Sequence, residues 1–266
     1  MRHLFQAWQD FLKDYRAADH MLLLSDFDGT LAIIVGRPED AILPASVKEK
    51  LNELAKKPQT SVGVISGRSI KELKAMVAIE GIYYSGNHGL EIDGPGLKYI
   101  HPQAEATRAT MKSLAAKLAG ALGNISGVII QEKGLSVSVH YRLAKLEKEA
   151  DVTRAVKQIT ASYVARGQIR AYPMKKIWEI RPPVDWDKGK AAVFIGEKIK
   201  ANFKVSRLMT VYPGDDATDE DAFKVLQRPE GWGIYVGTEN KTSAAGYYLS
   251  STAEVDALLS RLMDLK

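Results

Sequence analysis

The stretch Met21-Leu22-Leu23-Leu24-Ser25-Asp26-Phe27-Asp28-Gly29-Thr30 decides how the rest of the chain is read. An apolar run ends in two carboxylates spaced i, i+2 and then in Gly-Thr. A short run of this kind predicts a buried parallel strand. Open α/β sheets place their chemistry at the carboxyl ends of such strands. Two aspartates there repel each other unless a cation sits between them or one holds a proton. Either solution makes a reactive site.

Working outward, the flanking segments alternate strand and helix. A helix is predicted near Ser46 to Lys56, then a second buried strand from Ser61 to Ser66, ending at Ser66-Gly67-Arg68. A helix from Ser69 to about Val77 and a strand from Ile82 to Ser85 follow, the latter ending at Gly86-Asn87-His88-Gly89. This alternation predicts a mostly parallel sheet. Asp93-Gly94-Pro95-Gly96 is a turn-rich break. Beyond it the rhythm becomes helix-strand-strand, twice. Helices are expected at about Gln103 to Leu122 and Lys148 to Arg166, and strands at Val128 to Glu132, Ser136 to Tyr141, Ile169 to Tyr172 and Ile177 to Ile180. That order predicts an antiparallel sheet backed by two helices, closed by the stiff linker Arg181-Pro182-Pro183. The α/β rhythm then resumes with a helix from Lys188 to Ile199 and a strand from Leu208 to Pro213 that runs into Gly214-Asp215-Asp216. A helix from Asp219 to Leu226, a short strand from Gly233 to Val236 and a helix from Ala253 to Met263 complete it. The expected organisation is a core of residues 1–98 and 183–266 interrupted by an inserted α+β cap of residues 99–182. Residues 1–18 add an amphipathic helix with Leu4, Phe5, Trp8, Phe11, Leu12 and Tyr15 on one face.

Composition narrows the function classes. The chain has 266 residues, 26% charged and 45% hydrophobic, ordinary for a globular protein. It has no cysteine, which excludes disulfides and thiolate chemistry and fits a cytoplasmic location. Met1 to His20 does not resemble a signal peptide, and no apolar run approaches the roughly 20 residues of a membrane span. The net charge is +5. His101 to Pro182 carries fourteen Lys and Arg against six Asp and Glu, leaving the remainder net acidic. A basic segment of this size suits a small anionic ligand. No nucleic-acid motif or basic-aromatic stripe accompanies it, so neither nucleic acid nor membrane is an expected partner.

Four features end core strands or begin core helices: Asp26/Asp28/Thr30, Ser66, Lys188 and Asp215/Asp216/Asp219. Each has a plain structural alternative, such as a helix N-cap or a surface turn. Together they supply carboxylates, hydroxyls and one ammonium, the inventory of phosphoryl transfer. Carboxylates hold Mg²⁺. The cation and the lysine offset phosphoryl charge, and an aspartate can act as nucleophile through an acyl phosphate.

Asp26-Phe27-Asp28-Gly29-Thr30, Ser66, Lys188 and Gly214-Asp215-Asp216, in that order, resemble the haloacid dehalogenase superfamily of phosphatases. Further blocks resemble the trehalose-6-phosphate phosphatases within it: Ser66-Gly67-Arg68, Gly86 to Glu91, His140-Tyr141-Arg142, Glu179-Ile180-Arg181-Pro182 and Gly214 to Asp221. The likeness runs from about Leu22 to Leu262. It implies a Rossmann-like core with an inserted cap, a small sugar phosphate as substrate and Mg²⁺ as cofactor. A monomer is the separate expectation, one the sequence itself does not fix. The likeness implies Asp26 as nucleophile and metal ligand. Asp28 becomes the acid/base, binding metal through its carbonyl. Thr30 and Ser66, with Gly67 and Arg68, meet the phosphoryl group, and Lys188 bridges nucleophile and phosphate. Asp215 completes the metal site with Asp216 or Asp219 nearby. Glu132, Lys133, His140, Arg142, Glu179 and Arg181 bind the sugar; His88 is assigned to substrate binding, with a hinge or packing role as the alternative.

Two positions depart from the family's pattern. Asp187 stands where the family often has Asn before the lysine. Glu132 directly precedes Lys133 where the family's glutamate often lies two or three residues earlier, so either Gln131 or Glu132 faces the sugar. The chemistry would also serve a sucrose-phosphate or glucosylglycerol-phosphate phosphatase. A catalytically silent sugar-phosphate sensor is the remaining alternative, and the intact Asp26, Asp28 and Lys188 argue against it.

Overall fold

The computed structural model describes residues 1–238 and 241–265. The chain divides into two compact units, Met1–Tyr99 with Trp186–Lys266, and Ile100–Asp185.

In the first unit β1 (Arg2–His3) leads through a 3-10 turn (Leu4–Ala7) into α1 (Trp8–Ala17). Then come β2 (His20–Asp26), α2 (Ala45–Lys56), β3 (Thr60–Ile65), α3 (Ile70–Val77), β4 (Tyr83–Gly86), β5 (Glu91–Gly94) and β6 (Leu97–Ile100). After the second unit follow α7 (Lys188–Phe203), β11 (Leu208–Gly214), α8 (Glu220–Val225), β12 (Gly231–Val236), β13 (Tyr247–Leu249) and α9 (Thr252–Met263). The sheet order is β1-β13-β12-β11-β2-β3-β4-β5-β6. Pairing is parallel from β1 to β4 across that order, and β5 turns back antiparallel on β4.

Both faces of this sheet are covered, which explains the continuous apolar strands. Met21 and Leu23 of β2 join one cluster with Leu51 of α2, Leu73 of α3 and Leu258 of α9. Leu22 and Leu24 point the other way, to Ala191 and Ile195 of α7 and Phe223 of α8. Burying each such leucine contributes roughly 1.5–3 kcal/mol. The chain leaves β2 toward β3 on one side and later fills β11 on the other. The switch point, where open sheets bind ligands, therefore lies between β2 and β11.

The second unit holds α4 (Pro102–Ala106), α5 (Arg108–Leu122), β7 (Ile129–Glu132), β8 (Val137–His140), α6 (Glu149–Ala165), β9 (Arg170–Met174) and β10 (Ile177–Arg181). Its antiparallel sheet runs β7-β8-β10-β9. Val137, Val139, Trp178 and Ile180 pack with Leu114 and Leu118 of α5 and Val152 and Val156 of α6.

Several elements differ from expectation. The helix expected from Leu4 begins as a 3-10 turn, because the His3 side chain accepts from Phe5 N–H and the tight turn feeds β1 onto β13. The break after Asp93 is the tip of the β5–β6 hairpin, with Gly96 at φ +66°. The long helix from Gln103 is cut at Thr107, whose hydroxyl donates back to Ala104 O at 2.7 Å. β13 has three residues, too few for a periodic signal.

Candidate active site

Three strand ends meet at the switch point. Asp26 is the last residue of β2 and lies opposite Ile65, so Ser66 follows on the neighbouring strand. On the other side Val211 lies opposite Leu23, and continuing that register brings Gly214 level with Asp26, with Asp215 beyond it. Lys188 opens α7, and its Nζ lies 2.7 Å from Asp26 Oδ1 and 2.8 Å from Asp219 Oδ1. Asp187 caps that helix, its Oδ1 accepting from Lys190 N–H at 2.8 Å. The extra carboxylate before the lysine thus holds the helix start and favours its positive end.

Asp219 is fully buried and fully engaged. Oδ1 accepts from Lys188 and from the Tyr212 hydroxyl (2.8 Å), and Oδ2 accepts from the backbone N–H of Asp215 and Asp216, both at 3.0 Å. Carboxylate oxygens of Asp26, Asp215 and Asp219 come within 4.8 Å of one another, close enough to share a cation. Asp216 stands outside this cluster: its Oδ1 accepts from Thr218 N–H and hydroxyl and from Asp219 N–H, an Asx turn that starts α8.

The charges bear this out. Burial pushes the Asp26 carboxyl well above the usual range, and the carboxylates of Asp219 and Asp215 push the same way against Lys188. Burial, then Asp219 and Asp216, raise Asp215 to about 7. Burial works to lower Lys188, yet Asp219 and Asp26 overcome it and hold the ammonium well above its ordinary value. Asp216 moves the other way: burial opposes ionisation, but Lys188 and the Thr218 hydrogen bonds keep it below the carboxylate range. A hard, oxygen-only donor set whose members resist shedding their protons together fits a divalent cation.

Around the cluster, Arg68 grips Asp28 bidentately, Nε to Oδ2 at 2.7 Å and Nη2 to Oδ1 at 2.6 Å. Its guanidinium is therefore committed to the second aspartate. Thr30 Oγ1 is buried and makes no hydrogen bond among the described residues. Ser66 is buried, its Oγ accepting from Arg68 N–H at 3.2 Å. Gly29, at φ +86°, lies against Asp215, whose Oδ2 would sit 2.2 Å from an added Cβ. Gly67 lies under the His88 ring, 2.5 Å from where a Cβ would stand. His88 is thus beside the Ser66 loop, packed on its backbone.

In the second unit one face of the sheet carries polar side chains. Successive strands place Gln131, Ser138, Glu179 and Tyr172 in one cross-strand row. Lys133 Nζ lies 3.3 and 3.4 Å from the two Glu179 oxygens, Ser138 Oγ donates to Glu179, and Arg181 Nε lies 4.0 Å from it. His140 Nε2 lies 3.2 Å from Gln131 Oε1. Glu132 belongs to the opposite parity and accepts from Gly134 N–H at 2.7 Å in the β7–β8 turn. Of the two candidates left open by the sequence, Gln131 shares the Glu179 face. Arg142 lies exposed after β8. Sequence reasoning did not single out Tyr212, Ser138 or Tyr172. A register-level count of strand parity could have found the last two, whereas Tyr212 reads as core.

The family model described as trehalose-phosphatase matches residues 24–253. The chain belongs to the trehalose-phosphatase family. A trehalose-phosphate phosphatase of Mycobacterium tuberculosis is 35% identical over 255 residues, covering 94% of this chain and 63% of that protein. A probable trehalose-phosphate phosphatase D of Arabidopsis thaliana is 32% identical over 257 residues, covering 92% and 68%. The C-terminal domain of the Candida albicans trehalose-6-phosphate phosphatase superposes with a TM-score of 0.77 at 22% identity, covering 97% of each chain, and shares the fold. The chain therefore spans about 63% of the length of the mycobacterial trehalose-phosphate phosphatases it matches. The family implies a divalent metal, and the carboxylate oxygens of Asp26, Asp215 and Asp219 gather closely enough to hold one.

Proposed function

We propose that this chain hydrolyses trehalose 6-phosphate to trehalose and phosphate, with Mg²⁺, through an aspartyl phosphate on Asp26, the last step of making trehalose. The observation that carries the reading is Asp26 Oδ1 held 2.7 Å from Lys188 Nζ inside the carboxylate cluster. An Asp26 oxygen attacks phosphorus, the bond from phosphorus to the sugar oxygen breaks, and Asp28 delivers a proton to that oxygen. Arg68 must give up part of its grip for Asp28 to carry the proton. Water, deprotonated by Asp28, then attacks the acyl phosphate, releasing phosphate and restoring Asp26.

Lys188 offsets charge gathering on the phosphoryl oxygens, and the hydroxyls of Thr30 and Ser66 donate to them. The buried, unbonded Thr30 Oγ1 supports that assignment. Mg²⁺ bound by Asp26, Asp215 and the Asp28 carbonyl would neutralise phosphoryl charge and orient it for in-line attack. Asp219, with all its bonds spent, frames Lys188 and the Asp215 turn. Gln131, Lys133, Ser138, His140, Glu179 and Arg181 recognise sugar hydroxyls, for which charge-assisted bonds are the stronger kind.

The test is phosphate release from trehalose 6-phosphate with Mg²⁺, abolished by EDTA and by Asp26→Asn. Inertness on that substrate with activity on another disaccharide phosphate would move the assignment to that sugar.

A further inference from the structure

The turn between β4 and β5 lies outside the chemistry just described, yet it is tied to it from both sides. Asn87, His88 and Gly89 are successively left-handed, at φ +49°, +57° and +101°. Two consecutive non-glycine residues in that region cost free energy that the surroundings must offset. What the turn gains is a set of hydrogen bonds to the Ser66–Arg68 loop. Asn87 N–H donates to Arg68 O at 2.7 Å, His88 N–H donates to Ser66 O at 2.9 Å, and Ser66 N–H donates to Ser85 O at 2.9 Å.

Glu91 closes the arrangement. Its Oε1 accepts from the Asn87 side-chain amide at 2.6 Å and from Ile70 N–H, the first amide of α3, at 2.9 Å. Both Asn87 and Glu91 are buried. One carboxylate oxygen thus pins the left-handed turn to the helix that follows the Ser66 loop. The loop has no slack between them: Gly67 has no room for a Cβ beneath His88, and a Cβ on Gly86 would stand 2.5 Å from Ile70 N. The same loop carries the Arg68 guanidinium that grips Asp28.

We infer that the Asn87–Glu91 turn is a template for the Ser66–Arg68 loop, with Glu91 and Asn87 as positioning residues that set the Ser66 hydroxyl and the Arg68–Asp28 pair. The inference rests on the reading of Ser66 as a phosphoryl ligand and of Asp28 as the acid/base. Glu91 makes none of the bonds of the Asp26, Asp215 and Asp219 cluster, so its loss disturbs phosphate handling and leaves cation binding in place.

The experiment uses the full chain and three variants, Glu91→Ala, Glu91→Gln and Asn87→Gly. It reads inorganic phosphate binding by calorimetry, turnover of trehalose 6-phosphate and p-nitrophenyl phosphate, and the Mg²⁺ concentration for half-activation. Glu91→Ala is expected to lower kcat on both substrates by about 10- to 100-fold, the scale of a misplaced catalytic loop. It should weaken phosphate binding about tenfold, with Mg²⁺ half-activation changed less than about twofold. Glu91→Gln keeps the accepting oxygen and is expected to stay within about threefold of the parent. Asn87→Gly is compatible with the left-handed backbone, removes the side-chain amide that binds Glu91, and decides the matter if Glu91→Ala does not fold. It should shift the same quantities in the same direction. Unchanged phosphate binding and kcat in folded Glu91→Ala or Asn87→Gly would overturn the inference. So would a Gln variant as impaired as Ala, or a Mg²⁺ requirement that rises in step with the loss. Phosphate and p-nitrophenyl phosphate carry no sugar information, so these readouts stand even if trehalose 6-phosphate proves the wrong substrate.

Discussion

Lys188 is the residue on which the proposed site turns. Its ammonium is buried between two carboxylates, 2.7 Å from Asp26 and 2.8 Å from Asp219. Lys188→Met leaves those carboxylates buried without their counter-charge. Its kcat on trehalose 6-phosphate is expected to fall at least about 10²-fold, by analogy with loss of one oxyanion donor; single-turnover phosphate release measures it. Asp215 supplies a pH signature. Burial and its acidic neighbours raise it to about 7. Without a cation the folded state keeps a proton that the unfolded chain has released, so stability falls as pH rises from about 4 toward 7. A bound cation takes the proton's place. Mg²⁺ is therefore expected to raise Tm more at about pH 8 than at about pH 5.5, read by calorimetry with and without EDTA; equal shifts would contradict it. At this scale Asp26, Ser66, Lys188 and Asp215 were legible, because strand ends and motif order mark them. Asp219 was legible only as one acid among several. Nothing in Asp215-Asp216-Ala217-Thr218-Asp219 says which carboxylate turns inward and which spends itself on a turn.

Among the elements, the N-terminal segment illustrates what periodicity conveys. The apolar stripe of α1 was readable, and the structure seats it on the first core cluster: Phe11 stacks on Trp8 at 4.6 Å and meets Trp232 edge-on at 5.0 Å. Asp14 accepts from Arg228 and from Trp232 Nε1, fixing the helix further. Phe11→Ala is expected to cost about 3–5 kcal/mol of stability in urea unfolding. Since α1 leads into the start of β2, whereas Asp26 stands at that strand's other end, kcat should stay within about twofold. The strand β1 that precedes the helix was not legible, because two residues carry no pattern and pair only once β13 exists. The β5–β6 hairpin was hidden for a related reason: four-residue strands around Gly94-Pro95-Gly96 read as a turn until a sheet edge receives them. In the second unit the strand parity that selects Gln131 over Glu132 came only with the register.

For the whole molecule, the order of strands and helices was legible because buried parallel strands and amphipathic helices have different periods. The described helices include none long and apolar enough to cross a membrane. The division of labour proposed for the two units makes a separable prediction. Glu179 organises Lys133, Ser138 and Arg181 on one sheet face. Glu179→Gln is expected to raise KM for trehalose 6-phosphate by about tenfold or more while leaving p-nitrophenyl phosphate hydrolysis within about threefold. Parallel losses on both substrates would place Glu179 in the fold or the chemistry instead of in sugar recognition. The proposed covalent step can be tested directly. In an Asp28→Asn variant given p-nitrophenyl phosphate, whose leaving group departs without a proton, the aspartyl phosphate is expected to form faster than water can be activated to clear it. Acid-quenched protein, digested and read by mass spectrometry after mixing with p-nitrophenyl phosphate and Mg²⁺, should carry phosphate on Asp26 and on no other residue. Turnover by Asp26→Asn, or phosphate trapped elsewhere while Asp26 stays unmodified, would contradict the account.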